Sequence, residues 1–204
     1  MDIAVFSKAP QPGKVKTRLI PALGCQGAAR FQRFLTLNTL QTAHQFSPDN
    51  TTLWCAPDTQ HRFFQALNQH CAVTICAQTG NCLGERMHRA FVAHNAPLLL
   101  IGTDCPALEV SHLETAALAL DDGSDAVFIP AEDGGYVLVG LRHPQPVIFE
   151  NIDWGSNKVM AQTRQRLNEH GLHWVELETL WDIDRPSDLD RFNSIKTPIE
   201  EKSG

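Results

Sequence analysis

The sequence predicts a single α/β domain, a three-layer α/β/α sandwich whose mixed, mostly parallel sheet lies between two layers of helices. Short apolar runs alternate with segments of helical periodicity through the first half of the chain, a rhythm that calls for crossover connections and therefore parallel strands. The run Leu98 to Gly102 is apolar throughout, as a strand buried on both faces must be, and reads as the central strand. Two closely spaced strands, 126–130 and 136–141, break the rhythm and suggest an antiparallel insertion. With 204 residues, 43% hydrophobic and 20% charged, one domain over 1–196 is the economical organisation. The mixed-charge stretch 197–204 is expected to be a flexible tail.

Taken in order, Ile3 to Phe6 is a buried strand. The loop from Phe6 to Leu19, FSKAPQPGKVKTRL, cannot continue it, because Pro10, Pro12 and Gly13 intervene. Gly24 to Gly27 reads as a turn. Phe31, Phe34, Leu35, Leu37 and Leu40 then recur at helical spacing within 28–45. After the breaker Ser47-Pro48-Asp49-Asn50 come a strand at 51–56, a helix opened by Pro57-Asp58 and a strand at 72–77. Next are a helix over 83–94 and the central strand. A capping box, Ser111 to Glu114, starts another helix. Ser156 is placed to cap a helix that Gly171 stops. A last strand at 174–177 and a short helix at 187–192 complete the chain.

Composition excludes several roles. A net charge of −6 argues against general nucleic-acid binding, which wants a broad basic face. No apolar stretch approaches the length that spans a bilayer. The start, Met1-Asp2-Ile3, lacks the positive region of a secretory signal, so a cytoplasmic location is expected. The six cysteines form no C-x-x-C pair and match no zinc spacing, and in that compartment reduced thiols are expected.

In open α/β sheets, ligands bind beyond the carboxyl ends of the strands, and here those ends carry suitable groups. Lys8, Lys14, Lys16 and Arg18 sit in the loop after the first strand, with no acid among them. The last three alternate, so in an extended segment they would point to one side and could cradle a phosphate or diphosphate; the alternative is a solvated basic loop. Asp104 follows the central strand, where a carboxylate can hold Mg²⁺ or Mn²⁺ and through it diphosphate oxygens; the alternative is a cap of the following turn. Asp182 and Asp184 alternate after the last strand and could complete such a site, with Asp184 preferred. Asp133-Gly134-Gly135-Tyr136 reads as a tight turn whose glycines let backbone approach a ligand. Trp154 to Asn157 is a turn at a helix start that could meet an anion or sugar hydroxyls, or simply cap the helix. Walker A, G-x-G-x-x-G and G-x-S-x-G patterns are all absent.

Four motifs in order, FSKAPQPGKVKTRL, IGTDCPAL, EDGGYVLVGL and DIDRPSDL, resemble a bacterial group of the nucleotide-diphospho-sugar transferase superfamily, which has the GT-A fold. The group is described as glycosyltransferase-like and some members are linked to arsenosugar biosynthesis. The resemblance runs from Ile3 to Phe192. It implies that Asp104 stands in the place of the metal-binding D-x-D motif, although Thr103-Asp104-Cys105-Pro106 carries one acid, with Asp184 supplying the second ligand to Mg²⁺ or Mn²⁺. It further implies a nucleotide-sugar and a small-molecule acceptor as partners. On that reading Lys8, Lys14, Lys16 and Arg18 bind phosphate, with Lys16 also catalytic. Gly134, Gly135 and Tyr136 line the sugar or acceptor side, and Asp133 is the base for an inverting attack. The competing reaction is nucleotidyl transfer, in which the loop cations hold an NTP and pyrophosphate leaves. A third possibility is a nucleotide-binding protein without turnover.

Overall fold

The order of strands across the sheet, β3-β2-β1-β4-β6-β5-β7, places the apolar run 98–102 in the middle of seven strands. The structure is a computed structural model that describes residues 1–71, 73–94 and 97–196; the expected tail at 197–204 lies outside the described residues. The strands are β1 (Asp2–Lys8), β2 (Thr51–Ala56), β3 (Thr74–Ala77), β4 (Leu98–Gly102), β5 (Ala126–Pro130), β6 (Tyr136–Leu141) and β7 (Trp174–Glu176). The helices are α1 (Ile20–Phe46), α2 (Arg62–His70), α3 (Leu83–His94), α4 (Val110–Asp121), α5 (Val159–Glu169) and α6 (Pro186–Lys196).

β1 pairs in parallel with both β2 and β4, and β2 with β3. β6 runs antiparallel to both β4 and β5, which is the insertion expected at 126–141. β5 pairs in parallel with β7. Helices cover both faces, because alternate residues of the central strands are buried on opposite sides. Ile3, Val5, Leu99 and Ile101 pack with α2 and α4 side chains such as Phe64 and Leu113. Ala4, Phe6, Leu98 and Leu100 pack on the other face with Phe91 of α3 and Met160 of α5. A third cluster joins Leu19, Leu35, Trp181 and Ile183, and so ties the segment after β7 to the end of the basic loop.

Several boundaries shift from the sequence expectation, with β1 running on to Lys8, β3 starting at Thr74 and α6 reaching Lys196, and three differences have a clear local cause. The turn expected at Gly24 to Gly27 is a single break at Gly24 (φ 68°), with helix on both sides. α2 starts at Arg62, later than Pro57-Asp58. The Asp58 carboxylate instead accepts the Gln60 N–H in a local turn, and His61 Nδ1 caps the helix by accepting from Phe63. α4 is capped not by Ser111 but by Glu109, whose side chain accepts the His112 N–H while the His112 ring accepts the Glu109 N–H at 2.9 Å. A capping box can be built from other residue types once their side chains reach the free donors of the first turn.

Candidate active site

A pocket of about 330 Å³ opens at the carboxyl ends of β1 and β4, where the connections leave in opposite directions along the sheet. Phe6, Ser7 and Lys8 enter it from β1, and Gly102, Thr103 and Asp104 from β4. Asp133, Gly135 and Tyr136 come from the β5–β6 turn, Trp154 and Ser156 from the loop before α5, and Asp182 from the segment after β7. A buried polar network supports the floor. Gln32 of α1 donates to the Thr103 hydroxyl at 3.1 Å, and the Ser7 and Thr36 hydroxyls are 2.9 Å apart. Gln78 donates to the Trp54 and Ser7 carbonyls, closing the β2–β3 side of the wall.

The basic loop is not extended. It turns at Gly13, and Lys16 takes a left-handed conformation (φ 47°) just before a short 3₁₀ turn at Thr17–Leu19. The alternation of Lys14, Lys16 and Arg18 therefore does not align their side chains. Val15 and Leu19 are buried as anchors and Lys14 is exposed to solvent. Lys16 runs inward with its side chain only 4% exposed, and its ammonium pairs with Asp104 Oδ1 at 2.9 Å. The same ammonium donates to the Ile183 carbonyl. Arg18 pairs with Asp184. Of the four expected phosphate ligands, Lys8 alone lines the pocket.

The acids are distributed differently from the expectation. Asp182 and Asp184 do not share a side. Ile183 between them is fully buried, its N–H donates to the Asp104 carbonyl at 2.8 Å, and Asp184 is drawn away to Arg18. Asp182 is the one that enters the pocket. Burial pushes its carboxyl up to about 6, reinforced by the charges of Asp133 and Asp104 and partly relieved by Lys16. Three carboxylates gathered at one pocket, Asp104, Asp133 and Asp182, form a donor set that suits a hard divalent cation. Among the described residues, no three His, Cys, Asp or Glu side chains converge closely enough to hold a metal on their own. The set thus fits an ion of the Mg²⁺ type, which takes one or two carboxylates and fills the rest of its shell with phosphate and water.

The β5–β6 turn separates the expected sugar-side residues. Asp133 Oδ1 accepts the Gly135 N–H at 2.8 Å, which fixes the carboxylate beside the pocket. Gly135 and Tyr136 border the pocket, but Gly134 does not. Gly134 has φ 91°, and a Cβ there would lie 2.2 Å from the Asn157 carbonyl oxygen. Its close backbone approach is made to the loop before α5, not to a ligand, and its carbonyl accepts the Met160 N–H at 2.8 Å. The Tyr136 ring packs edge-on to Phe128 and Trp154, and burial raises its phenol well above the usual range. Cys105 also borders the pocket, yet burial pushes its thiol up to about 12, far from a reactive thiolate. Gln32, Gln78 and Leu83 are pocket residues that no motif marked; they reach it through packing of α1, the β3–α3 loop and α3.

Residues 39–156 match the DUF2064 family, described as an uncharacterized protein conserved in bacteria. No curated protein matches the chain. The structure is similar to that of a candidate nucleotide-diphospho-sugar transferase from Desulfovibrio desulfuricans G20, with 29% identity and a TM-score of 0.84 over 98% of this chain and 90% of that one. Molybdopterin-guanine dinucleotide biosynthesis protein A from Archaeoglobus fulgidus shares the fold at 18% identity and a TM-score of 0.58, over 96% of this chain and 98% of that one. So does 4-diphosphocytidyl-2C-methyl-D-erythritol synthase from Anaerococcus prevotii, at 12% identity and a TM-score of 0.61, over 95% of each chain. The fold is that of nucleotide-diphospho-sugar transferases. No helix among the described residues is long and apolar enough to cross a membrane.

Proposed function

We propose that this chain, which belongs to the DUF2064 family, is a glycosyltransferase that takes a sugar from a nucleoside diphosphate to a small-molecule acceptor. The observation that carries this reading is the charge layout of the pocket, where Asp104, Asp133 and Asp182 stand around one lining lysine, Lys8. Three acids and one lysine suit a divalent ion that bridges carboxylate to diphosphate oxygens. Nucleotidyl transfer from an NTP is the second reading, favoured by the four cations of the loop. It is weakened by the engagement of Lys16 and Arg18 with carboxylates.

On the first reading, Asp104 and Asp182 would hold Mg²⁺ or Mn²⁺, which supplies positive charge against the departing diphosphate; Asp184, paired with Arg18, would stand behind them. Lys8 would meet the diphosphate from β1, while Lys16 and Arg18 stay paired with Asp104 and Asp184 and act on phosphate through the acids they hold in place. Lys14, exposed at the loop, would contribute at longer range. Gly135 and Tyr136 would border the sugar, with Gly134 acting only through the turn it allows. The acceptor hydroxyl oxygen bonds to the anomeric carbon, the bond from that carbon to the diphosphate breaks, and Asp133 takes the hydroxyl proton. The 1–196 unit would act as one domain.

The test is thermal and calorimetric titration of the protein with Mg²⁺ and parallel panels of nucleotide-sugars and NTPs. Stabilisation by a nucleotide-sugar and not by the matching NTP supports glycosyl transfer. Pyrophosphate release from an NTP with a sugar phosphate would replace it by the second reading. Binding with no turnover of any acceptor would leave a nucleotide-binding protein.

A further inference from the structure

We infer that Trp154, with Leu83 beside it, forms the platform on which the sugar ring of the nucleotide-sugar lies, and so selects a saccharide donor over the bare diphosphate. This inference rests on the nucleotide-sugar reading above. Trp154 is half-buried and borders the pocket. Leu83 at the start of α3 borders it too, and at 44% exposure is among the few large apolar side chains of the described residues open to solvent. Together with Phe6, Tyr136, Val137 and Val159 they give the pocket an apolar side, facing the charged side that carries Lys8, Asp104 and Asp182.

The indole is fixed from behind. Gly84 lies against it so closely that a Cβ there would sit 2.7 Å from the indole Cζ2 and 2.9 Å from the Phe149 carbonyl oxygen. Tyr136 meets the ring edge-on at 6.4 Å between centroids, and Phe149 packs at the same distance from another side. A ring locked on this many sides costs little entropy to use as a binding surface. The Asp133 carboxylate, Gly135 and Ser156 line the same pocket. A pocket with an aromatic wall, a carboxylate and a hydroxyl matches a pyranose, which has one face of C–H bonds and an edge of hydroxyl groups.

The position also agrees. Lys8 is on β1 and Tyr136 on β6, with β4 between them, so two strand spacings, about 10 Å, separate the phosphate lysine from the aromatic wall. A diphosphate and one sugar ring fill that span. It puts the ring next to Asp133, where the acceptor must arrive.

The experiment is calorimetric titration, with Mg²⁺, of UDP against UDP-glucose and GDP against GDP-mannose into the wild type, Trp154→Phe and Trp154→Ala. For the pair the wild type prefers, Trp154→Ala is expected to weaken the nucleotide-sugar about tenfold and leave the bare diphosphate within about twofold. Trp154→Phe, which keeps a ring and guards against loss of fold, should recover most of the difference. An equal loss for sugar-nucleotide and diphosphate would assign Trp154 to the base and overturn the inference. No loss in either variant would also overturn it. A wild type that binds the diphosphates and does not distinguish their sugar forms removes the sugar platform while nucleotide binding stands. A wild type that binds none of the four removes the nucleotide-sugar reading itself, and the platform with it.

Discussion

Lys16 was expected to serve a ligand, yet its placement makes it a structural cation as well, and replacing it by Met measures how much. The side chain is 4% exposed and its ammonium serves two acceptors, Asp104 Oδ1 and the Ile183 carbonyl. Met keeps most of the apolar stem, so packing of the methylenes is preserved. Loss of the charge-assisted hydrogen bond to the Ile183 carbonyl costs about 1.5–3 kcal/mol. The ion pair adds no more than about 1 kcal/mol, because the Asp104 side chain is 54% exposed and well screened. Relief from desolvating an ammonium offsets part of this, so the net expectation is a loss of about 2 kcal/mol, or about 4–8 °C in Tm for a chain of this size. The assay is urea unfolding followed by circular dichroism, read at unchanged slope. Lys14→Met is the internal control: that residue is exposed, so its loss should stay within about 0.5 kcal/mol. Equal stability of the two variants, or a loss below about 0.5 kcal/mol for Lys16→Met, would refute the buried latch.

Asp182 makes a pH-dependent prediction in metal-free protein. Its carboxyl is raised from 3.8 to about 6, so the ionised form destabilises the fold at neutral pH, and the native state takes up a proton before the unfolded chain does. Stability should therefore rise as pH falls from about 6 towards about 4. Asp182→Asn should stabilise by about 1–2 kcal/mol at pH 7.5, a gain that fades below pH 4; a pH-independent gain would mean that burial of the ionised carboxylate beside Asp133 and Asp104 is not its source. Gly134→Ala combines positive φ with a Cβ 2.2 Å from the Asn157 carbonyl oxygen, so a loss above about 3 kcal/mol in chemical denaturation is expected, and a neutral result would show the turn relaxes freely. Asp104→Asn should remove the Mg²⁺ dependence of nucleotide affinity in calorimetry; an unchanged metal response would take Asp104 out of the site.

The secondary structure was legible because its signals are local. Strand β4 and helix α3 begin and end where the apolar run 98–102 and the periodicity over 83–94 place them, and the antiparallel pair β5–β6 followed from the shortness of the link between its strands. The motifs also converge, since the β1 loop, the β4 end and the β5–β6 turn all reach one end of the sheet. Their individual side chains were less legible. Alternation suggested that Lys14, Lys16 and Arg18 act together and that Asp182 and Asp184 do, and in both sets the chain is not regular enough for spacing to govern direction. Trp154 was marked only as part of a turn at a helix start and Leu83 not at all, so the indole and the leucine side chain entered the pocket by packing that no local pattern encodes.

What the sequence determined alone is the order of elements and the end of the sheet where charge gathers, since hydrophobic period and turn residues act over a few positions. Which charge meets which was decided by tertiary structure: Lys16 finds the Ile183 carbonyl 167 residues away, and Ile183 in turn holds Asp182 towards the pocket while Asp184 meets Arg18. The strength of such a contact depends on burial and on a partner within about 3 Å, and neither quantity is encoded in the spacing of residues along a chain.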